Sequence, residues 1–188
     1  MGTDVIFICG PHAAGKSTIL EALERSGGIA FRGPEVGKDL FYRRRFEPGS
    51  QKAAFEREVT GLELERDHRL AGRIRGLVGL ESWHPGNLAY AAVRNPAIVP
   101  ELAEWMRSSP LLPVARGIRL RLPCDGIRVR TRTFKDQSEW AAGFYGAVDQ
   151  ALGTCLALLG LAERTIEVDA SGSPEEVLAR ACRCMGLD

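Results

Sequence analysis

An α/β fold, a five-stranded parallel sheet with helices on both faces, is what this 188-residue sequence predicts. Three observations carry it. Short β-branched and aromatic runs alternate with helical stretches along the whole chain, as strands joined by crossover helices do. The first run stops at a glycine-rich segment that opens directly into a helix. The composition, 45% hydrophobic and 26% charged, can fill a core and excludes general disorder. At about 150 residues per domain, residues 1–188 make one domain with room for a short lid near residues 124–136. No repeat, low-complexity tract or linker interrupts it.

Asp4–Cys9 (DVIFIC) reads as a buried strand bounded by Gly10. Ile19, Leu20 and Leu23 give Ser17–Arg25 helical spacing. Gly28–Arg32 is a second strand ending in a Gly-Pro turn, and Lys38–Arg45 a short basic helix. Ser50–Arg75 is a long helical stretch, with Phe55, Val59, Leu62, Leu70 and Ile74 as its apolar stripe. Gly76–Glu81 is a third strand, stopped by a Trp-His-Pro-Gly turn. Helical segments over Asn87–Arg94 and Ala97–Ser108 lead to an alternating strand, Gly117–Leu122. A long helix over Asp136–Leu161 precedes the last strand, Thr165–Val168. Ser173, Pro174 and Glu176 then supply the cap, first position and N3 acid of a final helix.

Charge and cysteine usage exclude several classes. Lys plus Arg number 25 against 24 acids, so bulk charge nominates neither nucleic acid nor membrane. The basic residues are 21 Arg and 4 Lys, and the guanidinium fork suits phosphate oxygens. The longest apolar stretch, Cys155–Ala162, is broken by Gly160 and falls short of a membrane span. Asp4 stands where a signal peptide carries positive charge, so a soluble cytoplasmic protein is expected. Cys9, Cys124, Cys155, Cys182 and Cys184 are odd in number and scattered, which is neither a disulfide framework nor a structural metal site.

The strongest chemistry lies in Gly10-Pro11-His12-Ala13-Ala14-Gly15-Lys16-Ser17, a full match to the Walker A pattern GxxxxGK[ST]. Chance gives such a match in about one sequence in two hundred of this composition. Here it also sits between a strand and a helix. The glycines let successive backbone N–H groups, from Gly10 to Thr18, turn inward on phosphate oxygens. The following helix presents its positive end to the same oxygens. Lys16 reaches the β- and γ-phosphates, and the Ser17 hydroxyl suits Mg²⁺. His12, at a free position, either touches phosphate or packs against the loop. Guanine-specific GTPases need an NKxD-like loop, which neither Asn87 nor Asn95 belongs to, and large ATPases need more chain. A small kinase remains. Glu81, closing a strand beside the loop, falls at the ligand crevice of such a sheet.

From FICGPHAAGKST to VDASGSPEEV, the sequence resembles the P-loop nucleoside and nucleotide kinases, above all thymidylate kinases and deoxynucleoside kinases. The resemblance implies ATP and Mg²⁺ as cofactors and a P-loop NTPase fold. It puts Glu81, in LVGLESWHPGNLAY, on the acidic position near Mg²⁺ and the acceptor. The Arg that thymidylate and deoxynucleoside kinases carry next is Ser82 here. Phe31–Asp39 falls where these kinases place their acceptor segment, so Arg32 suits an acceptor phosphate and Glu35 an acceptor hydroxyl. Arg43, Arg44 and Arg45, between Tyr42 and Phe46, are either a solvated face or an acceptor contact. Gln51–Arg66 resembles the helix that lines a base pocket. Trp83 either stacks on a base or is a buried turn residue, and His84 is a weaker candidate base. Arg128, Arg130, Arg132 and Lys135 fall where these kinases carry lid arginines, which stabilise charge in the transition state. Asp169–Pro174 resembles the loop bordering adenine.

The leading expectation is therefore an ATP- and Mg²⁺-dependent kinase acting on a nucleoside or nucleoside monophosphate. One alternative moves the acceptor to a hydroxyl on a nucleic acid, at a modified base or an end. Another is a regulatory nucleotide-binding module with little or no catalysis. The partners expected are the nucleotide or nucleoside, with nucleic acid and a second copy of the chain left open and no membrane.

Overall fold

The computed structural model describes residues 2–44, 53–130 and 138–186. Its centre is β1 (Thr3–Cys9), whose residues Val5 to Cys9 are at most 1% exposed. Such a strand must be covered on both faces, and it is. Val5, Phe7 and Cys9 join one apolar cluster with Leu88, Leu102, Met106, Leu152 and Leu156. Ile6 and Ile8 join the other, with Ile19, Leu20, Ile127 and Val177. The two-residue side-chain period thus divides the core into two layers.

Parallel pairing joins β1 to β3 (Gly76–Glu81) and to β4 (Ala115–Arg121). β2 (Phe31–Arg32) pairs with β3, and β5 (Thr165–Asp169) with β4, giving the order β2-β3-β1-β4-β5. The expected five-stranded parallel sheet is present. β2 is shorter than Gly28–Arg32 because the Gly28 and Ile29 amides turn back to the Leu23 carbonyl and finish the preceding helix.

The helices are α1 (Lys16–Arg25), α2 (Val36–Arg44), α3 (Ala53–Leu70) and α4 (Trp83–Arg94), then α5 (Val99–Met106), α6 (Cys124–Arg130), α7 (Ser138–Leu158) and α8 (Pro174–Met185). Two sequence expectations change. The Trp-His-Pro-Gly segment is the first turn of α4, since Pro85 falls where no intrahelical N–H is needed. The stretch over Ser50–Arg75 ends as helix at Leu70, before a turn containing Gly72. α8 opens as expected: Ser173 Oγ accepts from the Glu176 amide, and Glu176 returns a bond to the Ser173 amide.

The first half of the expected lid is helix α6. Its Ile127 is fully buried, and Arg128 and Arg130 leave it in different directions. Arg132 and Lys135 lie outside the described residues, as do Arg45 and Phe46.

Candidate active site

The phosphate loop is shaped by its backbone. Gly10 adopts φ +148°, and a Cβ there would come within 2.6 Å of the Leu120 carbonyl oxygen. Ala13 (φ 62°) and Gly15 (φ 97°) take positive φ in turn, and alternation of this kind makes an anion-binding nest. Gly15 caps α1 without a side chain, so the helix's first amides face the cleft unoccupied by any cap. Lys16 is buried and donates to the carbonyls of Gly10 (3.3 Å) and Pro11 (3.0 Å). Its ammonium therefore sits inside the loop.

Strand register brings the acid. Ile8 of β1 lies opposite Glu81 of β3, which carries Glu81 to the mouth of the loop. The Ser17 hydroxyl reaches both Glu81 carboxylate oxygens at 2.8 Å. A hydroxyl and a carboxylate meeting beside a phosphate nest are the sparse oxygen set that suits Mg²⁺, which keeps most of its shell for water and phosphate. Arg32 also reaches Glu81 (3.4 Å) and pairs with Glu21 (3.1 Å).

Ser82 (φ 59°, ψ −60°) and Trp83 (φ 50°) follow Glu81 in conformations that cost non-glycine residues about 1–3 kcal/mol each. The Ser82 hydroxyl donates to Glu35 (3.2 Å), and Lys38 lies 3.9 Å from the same carboxylate. Burial, and then the charge of Glu81, pushes the Glu35 carboxyl above its ordinary 4.5. A carboxylate made more basic in this way is better suited to take a proton.

Beyond the loop a cavity of about 580 Å³ opens, between α2, α3, α4 and α7. Phe41, Phe55, Tyr90, Phe144 and Tyr145 wall it, and Glu35, Glu81, Asn87 and Arg94 provide polar groups. Arg94 lies 5.1 Å from the Tyr90 ring centre and 5.7 Å from that of Phe55, and it is locked by Glu56 through bonds of 2.7 and 3.1 Å. Aromatic walls with one fixed polar edge can hold a flat ring. His12 stacks on Tyr145 with centroids 4.9 Å apart, and burial followed by the nearby Lys16 charge drops its pKa to about 4. It packs on the loop as a neutral ring.

The structure chooses between the sequence alternatives at several residues. Trp83 is not at the cavity. Its ring is fully buried 5.5 Å from Phe7, because the turn at Ser82 aims it into the core. His84 is equally buried, so it meets no acceptor directly. Arg43 is exposed and is not among the residues lining the cavity. Arg128 is half exposed and pairs with Asp125 and Glu139. Arg130 instead donates to the carbonyls of Ala13, Ala170 and Gly172, tying α6 to the phosphate loop and to the loop after β5. Lys16, Ser17, Thr18, Glu35 and Glu81 are brought together. Tyr90, Arg94, Phe144 and Tyr145 were missed as site residues, and the only signal was an Ala-Tyr pair after Glu81.

No protein family matches the chain, and no curated protein does. Solved structures do. NadR in complex with NR superposes with a TM-score of 0.73 at 14% identity, over 99% of this chain and 52% of NadR, so the chain spans about half of that protein. Thymidylate kinase from Candida albicans matches with a TM-score of 0.69 at 15% identity, covering 98% of this chain and 92% of its own. Deoxyadenosine kinase from M. mycoides matches with 0.67 at 11% identity, over 97% and 98%. With a phosphate loop on β1, a five-stranded parallel sheet and these neighbours, the chain has the fold of the P-loop kinases.

Proposed function

We propose that the protein is an ATP- and Mg²⁺-dependent phosphotransferase whose acceptor is a nucleoside or nucleoside monophosphate. The observation that carries this is the meeting of Ser17 and Glu81 between the phosphate loop and an aromatic-walled cavity of about 580 Å³. A passive binding module has no need of a second, shaped compartment beside its phosphate loop. In this reading the amides of Gly15 to Thr18 hold phosphate oxygens, and Lys16 adds a charge-assisted contact. Ser17 and Glu81 would hold Mg²⁺, which would neutralise the charge that builds up during transfer. Glu35 accepts the proton of the acceptor hydroxyl. Tyr90, Phe55 and Arg94 orient the acceptor ring, which turns a collision into a positioned encounter. Arg130 joins the donor-side loops.

Related compounds support the reading. NadR is described with NR and separately with NAD and AMP-PNP, and the deoxyadenosine kinase with the products dCMP and dCDP. The nucleic-acid alternative draws on Tyr42, 68% exposed at the cavity rim beside Arg43. The experiment is transfer of labelled γ-phosphate from ATP to a panel of nucleosides, nucleoside monophosphates, and single- and double-stranded DNA carrying modified bases. Transfer to a small acceptor bears the proposal out. Transfer to DNA alone replaces it, and transfer to nothing rejects it.

A further inference from the structure

Below the Glu81–Ser82–Trp83 turn lies a charged cluster that takes no part in lining the cavity. α3 contributes Glu63, Arg66 and Asp67, and α4 contributes His84, all at most 4% exposed. Asp67 is the hub. Its Oδ2 accepts from the Trp83 indole N–H (3.0 Å) and the Ser109 hydroxyl (2.6 Å), and faces His84 Nε2 at 2.9 Å. Its Oδ1 accepts from Arg66 at 2.9 Å. On the other side of the imidazole, His84 Nδ1 lies 3.0 Å from Glu63 Oε2.

The proton count follows from these distances. A neutral imidazole carries one N–H, which leaves a buried nitrogen lone pair against a buried carboxylate lone pair. His84 Nδ1 and Glu63 Oε2, 3.0 Å apart, have no other hydrogen-bond partner, so a ring with its proton on Nε2 alone would set the two lone pairs against each other. A proton on each nitrogen pairs both at once. The geometry points to an imidazolium between two carboxylates, the direction in which Asp67 and Glu63 push the ring. Such a cluster gains little stability over well-packed apolar side chains. What it does hold is the pair of consecutive residues with positive φ, Ser82 and Trp83. The Trp83 and His84 rings are pinned to one carboxylate immediately after that turn. Immediately before it stands Glu81 on Ser17, and within it Ser82 on Glu35.

We infer that Asp67, His84 and Glu63 are positioning residues: a buried ionic bracket that clamps the Ser82–Trp83 turn and so sets the Glu81 carboxylate and the Ser82 hydroxyl for the chemistry of the cleft. Its kinetic consequence rests on the phosphotransferase reading, but its geometry does not.

The test uses the full chain with Trp83→Phe, which keeps an aromatic ring, though a smaller one, and removes the indole donor, and with Asp67→Asn. For each, melting temperature, ATP affinity with and without Mg²⁺ by calorimetry, and kcat and KM for ATP are measured. Nitrogen-15 histidine spectra of the wild type at pH 7.5, with His84→Gln for assignment, report the ring's protonation. The bracket requires both His84 nitrogens protonated. It also requires both variants to lose at least tenfold in kcat, and most of the Mg²⁺-dependent gain in ATP affinity to disappear. A neutral His84, or variants that melt earlier yet keep wild-type kcat and Mg²⁺ gain, overturn it. Should Asp67→Asn fail to fold, Trp83→Phe alone decides. If the wild type transfers phosphate to no acceptor, the kinase reading fails, while the histidine spectra and the Mg²⁺ gain still judge the bracket.

Discussion

Three side chains divide the proposed chemistry, and each separates in measurement. Lys16→Ala removes a cation whose ammonium sits inside the phosphate loop, so turnover falls at least tenfold, about 1.4 kcal/mol on the barrier. Unchanged transfer by the purified variant would reject the kinase reading. Glu81→Gln keeps the shape of the Ser17 contact but removes the charge that suits Mg²⁺. ATP binding without Mg²⁺ should stay within a few-fold, with turnover lower by roughly 10²–10⁴. Glu35→Gln should give a loss of the same order if Glu35 is the base. The wild-type rate should then rise with pH through a limb displaced above the ordinary 4.5, as burial and Glu81 raise that carboxyl, and the limb should vanish in Glu35→Gln. A limb that persists in the variant assigns it to another group.

At the scale of elements, helix ends and a helix staple carry the argument. α6 is fastened to the phosphate loop through Arg130, whose three carbonyl partners lie on two different loops. Arg130→Ala frees α6 from both and should lower single-turnover transfer at least tenfold, with ATP affinity changed only a few-fold. Arg128→Ala loses only exposed ion pairs and should stay near wild type in both. Parallel losses of affinity and rate in Arg130→Ala would make the segment a binding surface only. α8 offers a test of stability. Ser173→Ala removes the reciprocal cap and should cost about 1 kcal/mol in denaturant unfolding. The sequence already spelled that cap, since its residues are three apart and answer one another locally.

Across the whole molecule, the bracket beneath the turn sets a pH window for stability. Burial opposes the charge on Asp67, but the His84 bond and charge, with Arg66 and Ser109, outweigh it and bring the carboxyl down from 3.8 to about 2. That stabilisation is complete above 3.8 and is lost as pH falls through about 2. Burial also opposes the charge on His84, and there Asp67 and Glu63 win, raising it above 6.5. Its contribution is complete below 6.5 and is lost as pH rises through the folded value. Melting temperature should therefore decline on both sides, and His84→Gln should flatten the alkaline decline. A wild-type alkaline decline preserved in His84→Gln would assign it to other groups.

What the sequence by itself determined is local: the strand, nest and helix of residues 4–25, the acid closing β3, and the cap of α8. In each, a glycine, a hydroxyl or an apolar period acts on backbone within a few positions, so the residues spell the geometry directly. Tertiary structure alone decided the cavity. Phe41, Phe55, Tyr90 and Phe144 stand on four different helices, and all but Phe55, which lies in the segment resembling a base-pocket helix, read in sequence as ordinary helical packing. Trp83 shows the same limit from the other side. An aromatic two positions after Glu81 suits a stacking role in sequence, yet the positive φ at Ser82 and the Asp67 carboxylate turn it inward. Which face a side chain takes depends on partners far along the chain, and only packing brings those partners together.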